Sequence, residues 1–356
     1  MESLSSLIGP ENVFTGPETA AYAVAGMVPA GVAAPATPEE ARQVILHARE
    51  QGWGLVPYGG GTQVAAGFPP SRLDLVLSTR RMARVVDYQP DDMTVTVEPG
   101  LTLDALERLL AGRNQFLPLD PPLPATATVG GTVAAAVAGP WSAGFGTPRD
   151  WVIGCRVLGA DGQEVRAGGQ VVKNVAGYDL PKLYTGSSGT LGLITEVTFK
   201  VMPRPPARGH CAVRLRAAGE AENLVARTLA SDLQPAALEL VYAPLTGPDN
   251  PHPWALYYEF LHVEEAIEWQ VTHVQQLSGE VGGEFERPTL AAGDAVFRQL
   301  RDRPALSLFV ARLGGASSQV TELALAAASA CDQAGIQAEM QAHAAAGQLY
   351  LLAGAA

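Results

Sequence analysis

Apolar residues recur along this chain with two periods, and the switches between them mark its elements. Ala41, Val44, Ile45 and Ala48 are spaced to share one face of a helix. Thr37 precedes that face as an N-cap, Pro38 fits the first turn, and Glu40 completes a capping box. Gly52 supplies the stop. Leu55 and Val56 then begin a short buried strand that runs into Pro57-Tyr58-Gly59-Gly60-Gly61-Thr62. Further strands are expected over 73–77, 85–88 and 93–97, a helix over 103–110, and an extended segment over 116–119. A proline cluster, Pro121, Pro122 and Pro124, leads to Thr128-Val129-Gly130-Gly131-Thr132 and an Ala-rich helix reaching Ala138. Extended runs over 152–158 and 164–166 flank Asp161-Gly162, a hairpin signal. One long strand is expected from 191 to 202.

Pro203-Arg204-Pro205-Pro206 can continue neither a helix nor a sheet interior, so it sets the domain boundary, with domains 1–204 and 205–356. Beyond it the pattern changes. Strand-like runs over 212–215, 238–242, 255–261, 306–311 and 349–352 alternate with helical ones over 220–231, 264–277, 290–301 and 318–334. That alternation predicts a smaller α+β domain with helices on one face of a sheet.

Composition narrows the function. Of 356 residues, 47% are apolar and 17% charged, enough for sizeable buried cores. A net charge of −12 repels phosphate backbones and anionic lipid, which argues against nucleic-acid or electrostatic membrane binding. Cys155, Cys211 and Cys331 lie far apart without metal-finger or Cys-x-x-Cys spacing, the usage of a reducing, cytoplasmic compartment. No secretory signal opens the chain, and the Ala-rich run after Pro124 is too short and glycine-broken for a membrane span.

Three glycine-rich segments carry the candidate chemistry. Gly59-Gly60-Gly61 directly after a strand lets backbone N–H groups approach an anion closely, and Thr62 can add a hydroxyl. Alone, a triple glycine reads first as a surface turn. The spacing fits neither a Rossmann fingerprint nor a P-loop. Thr128-Val129-Gly130-Gly131 opens a helix, whose N-terminal amides favour phosphate; glycine packing at a helix–strand crossing is the plain alternative. In Gly186-Ser187-Ser188-Gly189-Thr190-Leu191-Gly192-Leu193-Ile194, glycines let a strand approach a flat partner, or mark an ordinary bulge.

As an ordered set these segments resemble the PCMH-type (vanillyl-alcohol-oxidase-like) FAD-binding domain. The match runs through Leu119-Asp120-Pro121-Pro122, Gly144-Phe145-Gly146-Thr147-Pro148-Arg149-Asp150 and Val172-Lys173-Asn174-Val175-Ala176-Gly177-Tyr178-Asp179-Leu180, over roughly residues 30 to 204. Within the family the wording is most similar to the FAD-binding E subunit of glycolate oxidase. The resemblance implies an α+β fold, a two-subdomain FAD-binding domain followed by a cap. It implies that Pro57, Tyr58, Gly59, Gly60, Gly61, Thr62 and Gln63 wrap the pyrophosphate. Pro121, Thr128, Val129, Gly130 and Gly131 would line the other side, Gly144 and Gly146 would sit near the isoalloxazine, and Gly189, Gly192, Leu193 and Ile194 would meet the adenosine half. Some members tether FAD through His or Cys in these loops. Neither occurs between Tyr58 and Gly67 or between Pro118 and Gly146, so non-covalent FAD is expected.

Larger 2-hydroxy-acid dehydrogenases of the family carry a His-containing metal and substrate motif. Here His210, His252, His262, His273 and His343 include no His-x-x-x-His pair, and each is read as a surface or helix-face residue, with no metal site expected. No catalytic residue is assigned, and the catalytic apparatus is expected to be incomplete. Lys173, Asn174, Tyr178 and Asp179 could orient flavin or a partner, or simply stabilise a turn. Three functions follow from the resemblance. The first is an FAD-binding subunit of a glycolate-oxidising complex, with a homologous larger flavoprotein and an iron–sulfur subunit as partners. The second is a stand-alone FAD-dependent oxidoreductase of 2-hydroxy acids or alcohols, and the third a scaffold without flavin. Peripheral attachment to the inner membrane through partners stays open.

Overall fold

The helix Pro38–Glu50 starts as its sequence directs. Thr37 Oγ1 accepts from Glu40 N at 3.1 Å, and Glu40 reaches back to Ala36 N at 2.7 Å rather than to Thr37 itself. Ala41, Val44, Ile45 and Ala48 are all buried. Each larger side chain among them contributes on the order of 1.5–3 kcal/mol through removal from water. The computed structural model describes residues 1–169, 178–242, 251–336 and 338–355. The expectations for Val172, Lys173, Asn174, Val175, Ala176 and Gly177 lie outside these. Among the described residues no helix is long and apolar enough to cross a membrane.

Two compact units divide the chain. Met1–Val137 with Thr147–Arg204 form the first, and Ala138–Gly146 with Pro205–Ala356 the second. In the first unit, β1 (Val13–Thr15), β2 (Gly31–Ala33), β3 (Leu55–Tyr58) and β4 (Leu75–Ser78) form a sheet of order β1-β2-β4-β3. β2 and β3 both run parallel to β4, and β1 is antiparallel to β2. β5 (Val85–Gln89), β6 (Thr94–Val97), β8 (Val152–Leu158), β9 (Glu164–Gly168) and β10 (Leu193–Lys200) form an antiparallel sheet of order β5-β6-β10-β8-β9. β7 (Gln115–Phe116) and β11 (Met202–Pro203) make a short ribbon. The core of the second sheet includes Val95, Val97, Val157, Val197 and Phe199, with Leu103, Leu106 and Leu110 of the helix Leu103–Ala111 packed on it.

The second unit is built on one antiparallel sheet. β12 (Ala207–Leu215), β13 (Ala237–Tyr242), β14 (Trp254–His262), β15 (Glu284–Glu286), β16 (Ser307–Gly314), β17 (Glu339–His343) and β18 (Gln348–Ala355) take the order β15-β12-β14-β13-β17-β18-β16. The helices Ala218–Ala230, Glu264–Val281 and Val320–Gln333 bury Leu224, Val271, Val274 and Ala324 in its main core, beside Leu238, Leu256 and Tyr258. Both units mix helices with sheets, the α+β class expected from sequence. The Ala-rich helix stops at Ala135 rather than Ala138, because Ala136 turns left-handed at φ 49°.

Candidate functional site

The site of the first unit begins where β3 ends. Thr79 N donates to Tyr58 O at 2.9 Å, the last bond between this end of β3 and the chain leaving β4. The chain then leaves as Gly59-Gly60-Gly61, with Gly61 left-handed at φ 80°. Glycine is required for closeness as well as for turning. A methyl at Gly59 would lie 2.2 Å from Thr128 Oγ1, and one at Gly60 would lie 1.9 Å from Thr126 O. The first and second glycine segments are therefore packed against each other, as two sides of one cradle require. Pro121 is buried in the turn that leads to Thr126, where Thr126 N and Ala127 N both donate to Leu123 O.

The two segments differ in what they offer a ligand. Among the described residues, none of the main-chain N–H groups of Gly59, Gly60, Gly61, Thr62 and Gln63 donates to a protein acceptor. These five residues are half-buried. A run of partly buried, unpaired amides calls for a ligand or water, and an anion satisfies several at once. The start of the helix Val129–Ala135 is different. Val129 N donates to Leu101 O and Gly130 N to Pro99 O, both at 2.8 Å, while Gly131 N donates to the Thr128 side chain at 3.3 Å. This corrects the expectation that helix amides there meet phosphate. They are occupied by carbonyls about 30 residues earlier, so of these two segments it is 59–63 whose main-chain N–H groups stay unpaired. Gly130 is glycine because a methyl there would sit 2.5 Å from Pro99 Cβ.

The third segment closes on the other two. Gly186 N and Ser188 N donate to Val133 O and Ala134 O, tying the loop to the end of the helix Val129–Ala135. At Gly189, left-handed with φ 74°, an added methyl would lie 3.3 Å from Pro57 Cγ. Gly192 abuts Leu158 O. Leu193 and Ile194 are buried and pair with Leu158 and Val157, so their side chains serve the core rather than a ligand. Asp179 pairs with Lys182 at 2.6 Å within the short helix that it precedes, and the Tyr178 side chain is exposed.

Sequence reasoning overlooked Arg80, just past β4. Its guanidinium lies 6.0 Å from the Tyr22 ring centroid, and Tyr22 packs on Tyr58 with ring centroids 5.1 Å apart. Burial pushes the Tyr58 hydroxyl above its ordinary pKa, and the Arg80 charge partly opposes this. A cation thus stands within electrostatic reach of the residue that opens the glycine loop. The only local signal was an arginine two residues after a strand end.

Gly144 and Gly146 belong to the second unit. Gly144 N donates to Ala236 O at 3.1 Å, and a methyl at Gly144 would lie 2.8 Å from Ala236 Cα. That packing accounts for glycine at position 144, and Gly146 is left-handed at φ 79°.

The histidine reading needs correction at two positions. His210 and His343 lie on β12 and β17 and are buried, not on helix faces or the surface. His210 Nε2 bonds Asp294 Oδ1 at 3.0 Å, and ligand-type atoms of His210, Glu259 and Asp294 lie within 4.8 Å of one another. Arg208 lies among them, 3.3 Å from Glu259 Oε1 and 3.1 Å from Asp294 Oδ1, and Trp141 Nε1 donates to Glu259 Oε2 at 2.7 Å. The guanidinium therefore supplies the positive charge that two close carboxylates need. Burial pushes the Glu259 carboxyl up, opposed by Arg208. Burial would also raise Asp294, but hydrogen bonds from Arg208 and His210 hold it below the usual carboxylate range. His343 Nδ1 and Glu239 Oε1 form a second buried pair at 2.6 Å.

Residues 29–168 match the family described as FAD binding domain. The chain is 32% identical over 253 residues to the glycolate oxidase subunit GlcD of Bacillus subtilis, covering 68% of this chain and 53% of that protein. It is 40% identical over 154 residues to the glycolate oxidase subunit GlcE of Escherichia coli, covering 43% of each. The chain thus spans about half the length of these relatives. Its fold is similar to that of p-cresol methylhydroxylase with substrate bound, with TM-score 0.79 and 18% identity over 99% of this chain and 82% of the other.

Proposed function

Because residues 29–168 are an FAD binding domain, set in a fold of the PCMH type, we propose that this chain is an FAD-dependent oxidoreductase component that binds the dinucleotide through its pyrophosphate. The observation that carries the reading is the run of unpaired amides from Gly59 to Gln63, half-buried against Thr126 and Thr128. The cofactor fits this cradle on chemical grounds: two linked phosphates need several donors at close range and no side-chain bulk. Gly59–Gln63 hold the phosphates, Thr128–Gly131 back them as a wall, and Arg80 adds positive charge. Pro57 and Gly189 close the side on which they meet. FAD supplies the capacity to take two electrons and a proton from a substrate carbon–hydrogen bond.

The substrate class in this proposal is a small 2-hydroxy acid, with glycolate giving up two electrons and two protons to become glyoxylate. The names of the relatives support that choice. The chain works as a subunit, with a homologous larger flavoprotein and an iron–sulfur protein as partners.

Titration of the purified chain with FAD tests the central claim, followed by flavin fluorescence. FAD should bind, ADP should compete with it, and riboflavin, which has no phosphate, should neither bind nor compete. Riboflavin binding as well as FAD would place recognition away from the amide loop. Anaerobic glycolate, with and without the partner subunits, then separates the roles. Bleaching of the isolated chain's flavin would favour a stand-alone enzyme over a subunit.

A further inference from the structure

The face of the seven-stranded sheet opposite its main core carries a buried polar cluster. Leu238, Leu240, Met340 and Ala342 point into that core, so Glu239, Gln341 and His343, which alternate with them, point the other way. Glu239 on β13 and His343 on β17 are cross-strand partners. Exposure is 0% for Glu239 and Gln341 and 2% for His343. A carboxylate this deep is costly unless it is paired and its oxygens are satisfied. Both conditions hold. His343 Nδ1 lies 2.6 Å from Glu239 Oε1, and Gln341 Nε2 donates to Glu239 Oε2 at 2.8 Å and to Leu300 O at 2.9 Å.

These bonds fix the state of the imidazole. A carboxylate only accepts, so Nδ1 carries the proton, and the neutral ring presents Nε2 as a bare acceptor. Among the described residues Nε2 has no partner, and it is not one of the side-chain atoms sealed from solvent. His210 has the reverse arrangement, with its carboxylate partner on Nε2 and its Nδ1 sealed. Gln341 Oε1, beside His343, is a second acceptor without a partner. A carboxylate that holds one ring nitrogen and aims the other outward is the means by which proteins orient a histidine toward a ligand.

We infer that His343 Nε2 accepts the hydroxyl group of a small 2-hydroxy acid, with Glu239 as its positioning residue. The acid is the substrate class proposed above, on which this inference rests; the hydroxyl is dictated by the site. An ionised 2-hydroxy acid has one strong donor, its O–H, and a bare ring nitrogen needs one. The Glu239 charge behind the ring repels the ligand's carboxylate, so the hydroxyl end enters first. An analogue without the hydroxyl leaves the acceptor desolvated and unpaired, which selects against it.

Histidine NMR on the full isotope-labelled chain tests this, with His343→Asn assigning the signal. At mildly alkaline pH the His343 ring should carry its proton on Nδ1 and none on Nε2. Glycolate, added to the chain free of FAD so that nothing is oxidised, should shift Nε2 saturably. Acetate, which lacks the hydroxyl, should not. Glu239→Gln separates positioning from packing, because it keeps the size of the side chain. Its carbonyl must face the Gln341 amide, so its own amide donates to Nδ1 and drives the ring proton to Nε2. That variant should bind FAD as the parent does and glycolate about tenfold more weakly. A ring proton on Nε2 in the parent overturns the inference. So do equal responses to glycolate and acetate, no response to either, and undiminished glycolate affinity in Glu239→Gln. Loss of FAD binding with the glycolate response intact would instead strike the cofactor reading and leave this site in place.

Discussion

Gly60 lies directly on the carbonyl of Thr126, so close that a methyl at position 60 would stand 1.9 Å from that oxygen. The neighbour is backbone and cannot rotate away. One consequence is that the glycine loop packs directly against the turn ahead of the helix Val129–Ala135, main chain on main chain. Another is that a substitution at Gly60 tests the architecture of the cradle together with the space left for phosphate.

Gly60→Ala should therefore lower stability by roughly 1–3 kcal/mol or more and abolish FAD retention in the same variant. Gly67→Ala is the control. Gly67 is also left-handed, at φ 89°, but an added methyl there meets nothing within 4 Å. It should cost only about 1 kcal/mol of backbone strain and keep the flavin. Thermal unfolding and flavin absorbance measured on both variants decide the matter. Equal behaviour of the two would remove the close approach from the explanation.

How far the sequence foretold this arrangement depended on how local each cause was. Thr37, Pro38 and Glu40 define a helix start within four residues, and the structure has it. The juxtaposition of Gly59–Gly61 with Thr128 was legible through an ordered set of motifs. The fate of the helix amides was not, because their acceptors, Pro99 O and Leu101 O, sit in a turn about 30 residues upstream. β17 escaped notice for a related reason. Its alternation is short, with only Met340 and Ala342 apolar, and the intervening Gln341 and His343 are polar but buried, paired with Glu239 on β13 about 100 residues away. His210 likewise hides among Asp294, Arg208 and Glu259, which only the folded sheet brings together.

The helix Val129–Ala135 has Thr128 as its N-cap, through the bond from Gly131 N. Thr128→Ala should cost about 1 kcal/mol, read as a drop in denaturation midpoint, and weaken FAD binding through displacement of the wall against Gly59. Thr128→Ser keeps the hydroxyl and should restore most of both. If Ser behaves like Ala, the methyl rather than the cap is what matters.

Thiol chemistry should distinguish the three cysteines. Burial pushes the Cys155 thiol up to about 12, with Asp179 adding to the effect, and burial raises Cys211 strongly as well. Disulfide reagents react with thiolate, so neither should react in the native protein at mildly alkaline pH. Cys331 is half-buried on the helix Val320–Gln333 and is the one open to attack. A colorimetric thiol assay should report one reactive group in the native chain and three in denaturant. Rapid native reaction of more than one thiol would contradict the packing around β8 or β12.

Two carboxylates share Arg208 but should respond to pH with opposite sign. Asp294 is held below its ordinary range in the folded state, so it stabilises the fold above its unfolded pKa, about 3.9. That contribution disappears as pH falls through the lowered folded value. Asp294→Asn should therefore be less stable than the parent at neutral pH, with the gap closing in acid. Glu259 is raised by burial, so its penalty sets in as pH rises past the unfolded carboxylate value, about 4.3. Relative to the parent, Glu259→Gln should gain stability as pH rises over that window. Urea midpoints from pH 7 down to about 3 measure both slopes, and parallel slopes for the two variants would contradict the assigned shifts.

The flavin should come away from this chain intact. Neither His nor Cys occurs between Tyr58 and Gly67 or between Pro118 and Gly146, so the cradle contains no nucleophile of the kind that tethers flavin. Elsewhere in the first unit His47 is bonded to Ser3 Oγ at 2.8 Å, and Cys155 lies in the core of the five-stranded sheet. In the proposed binding mode, FAD is held by amide hydrogen bonds to its phosphates, strong together but broken when acid denatures the loop that orients them. Acid precipitation of the reconstituted protein should leave all yellow colour in the supernatant and a colourless pellet. Flavin fluorescence persisting on the washed pellet would reveal a covalent bond to a residue outside the cradle and would require a different route for the isoalloxazine ring.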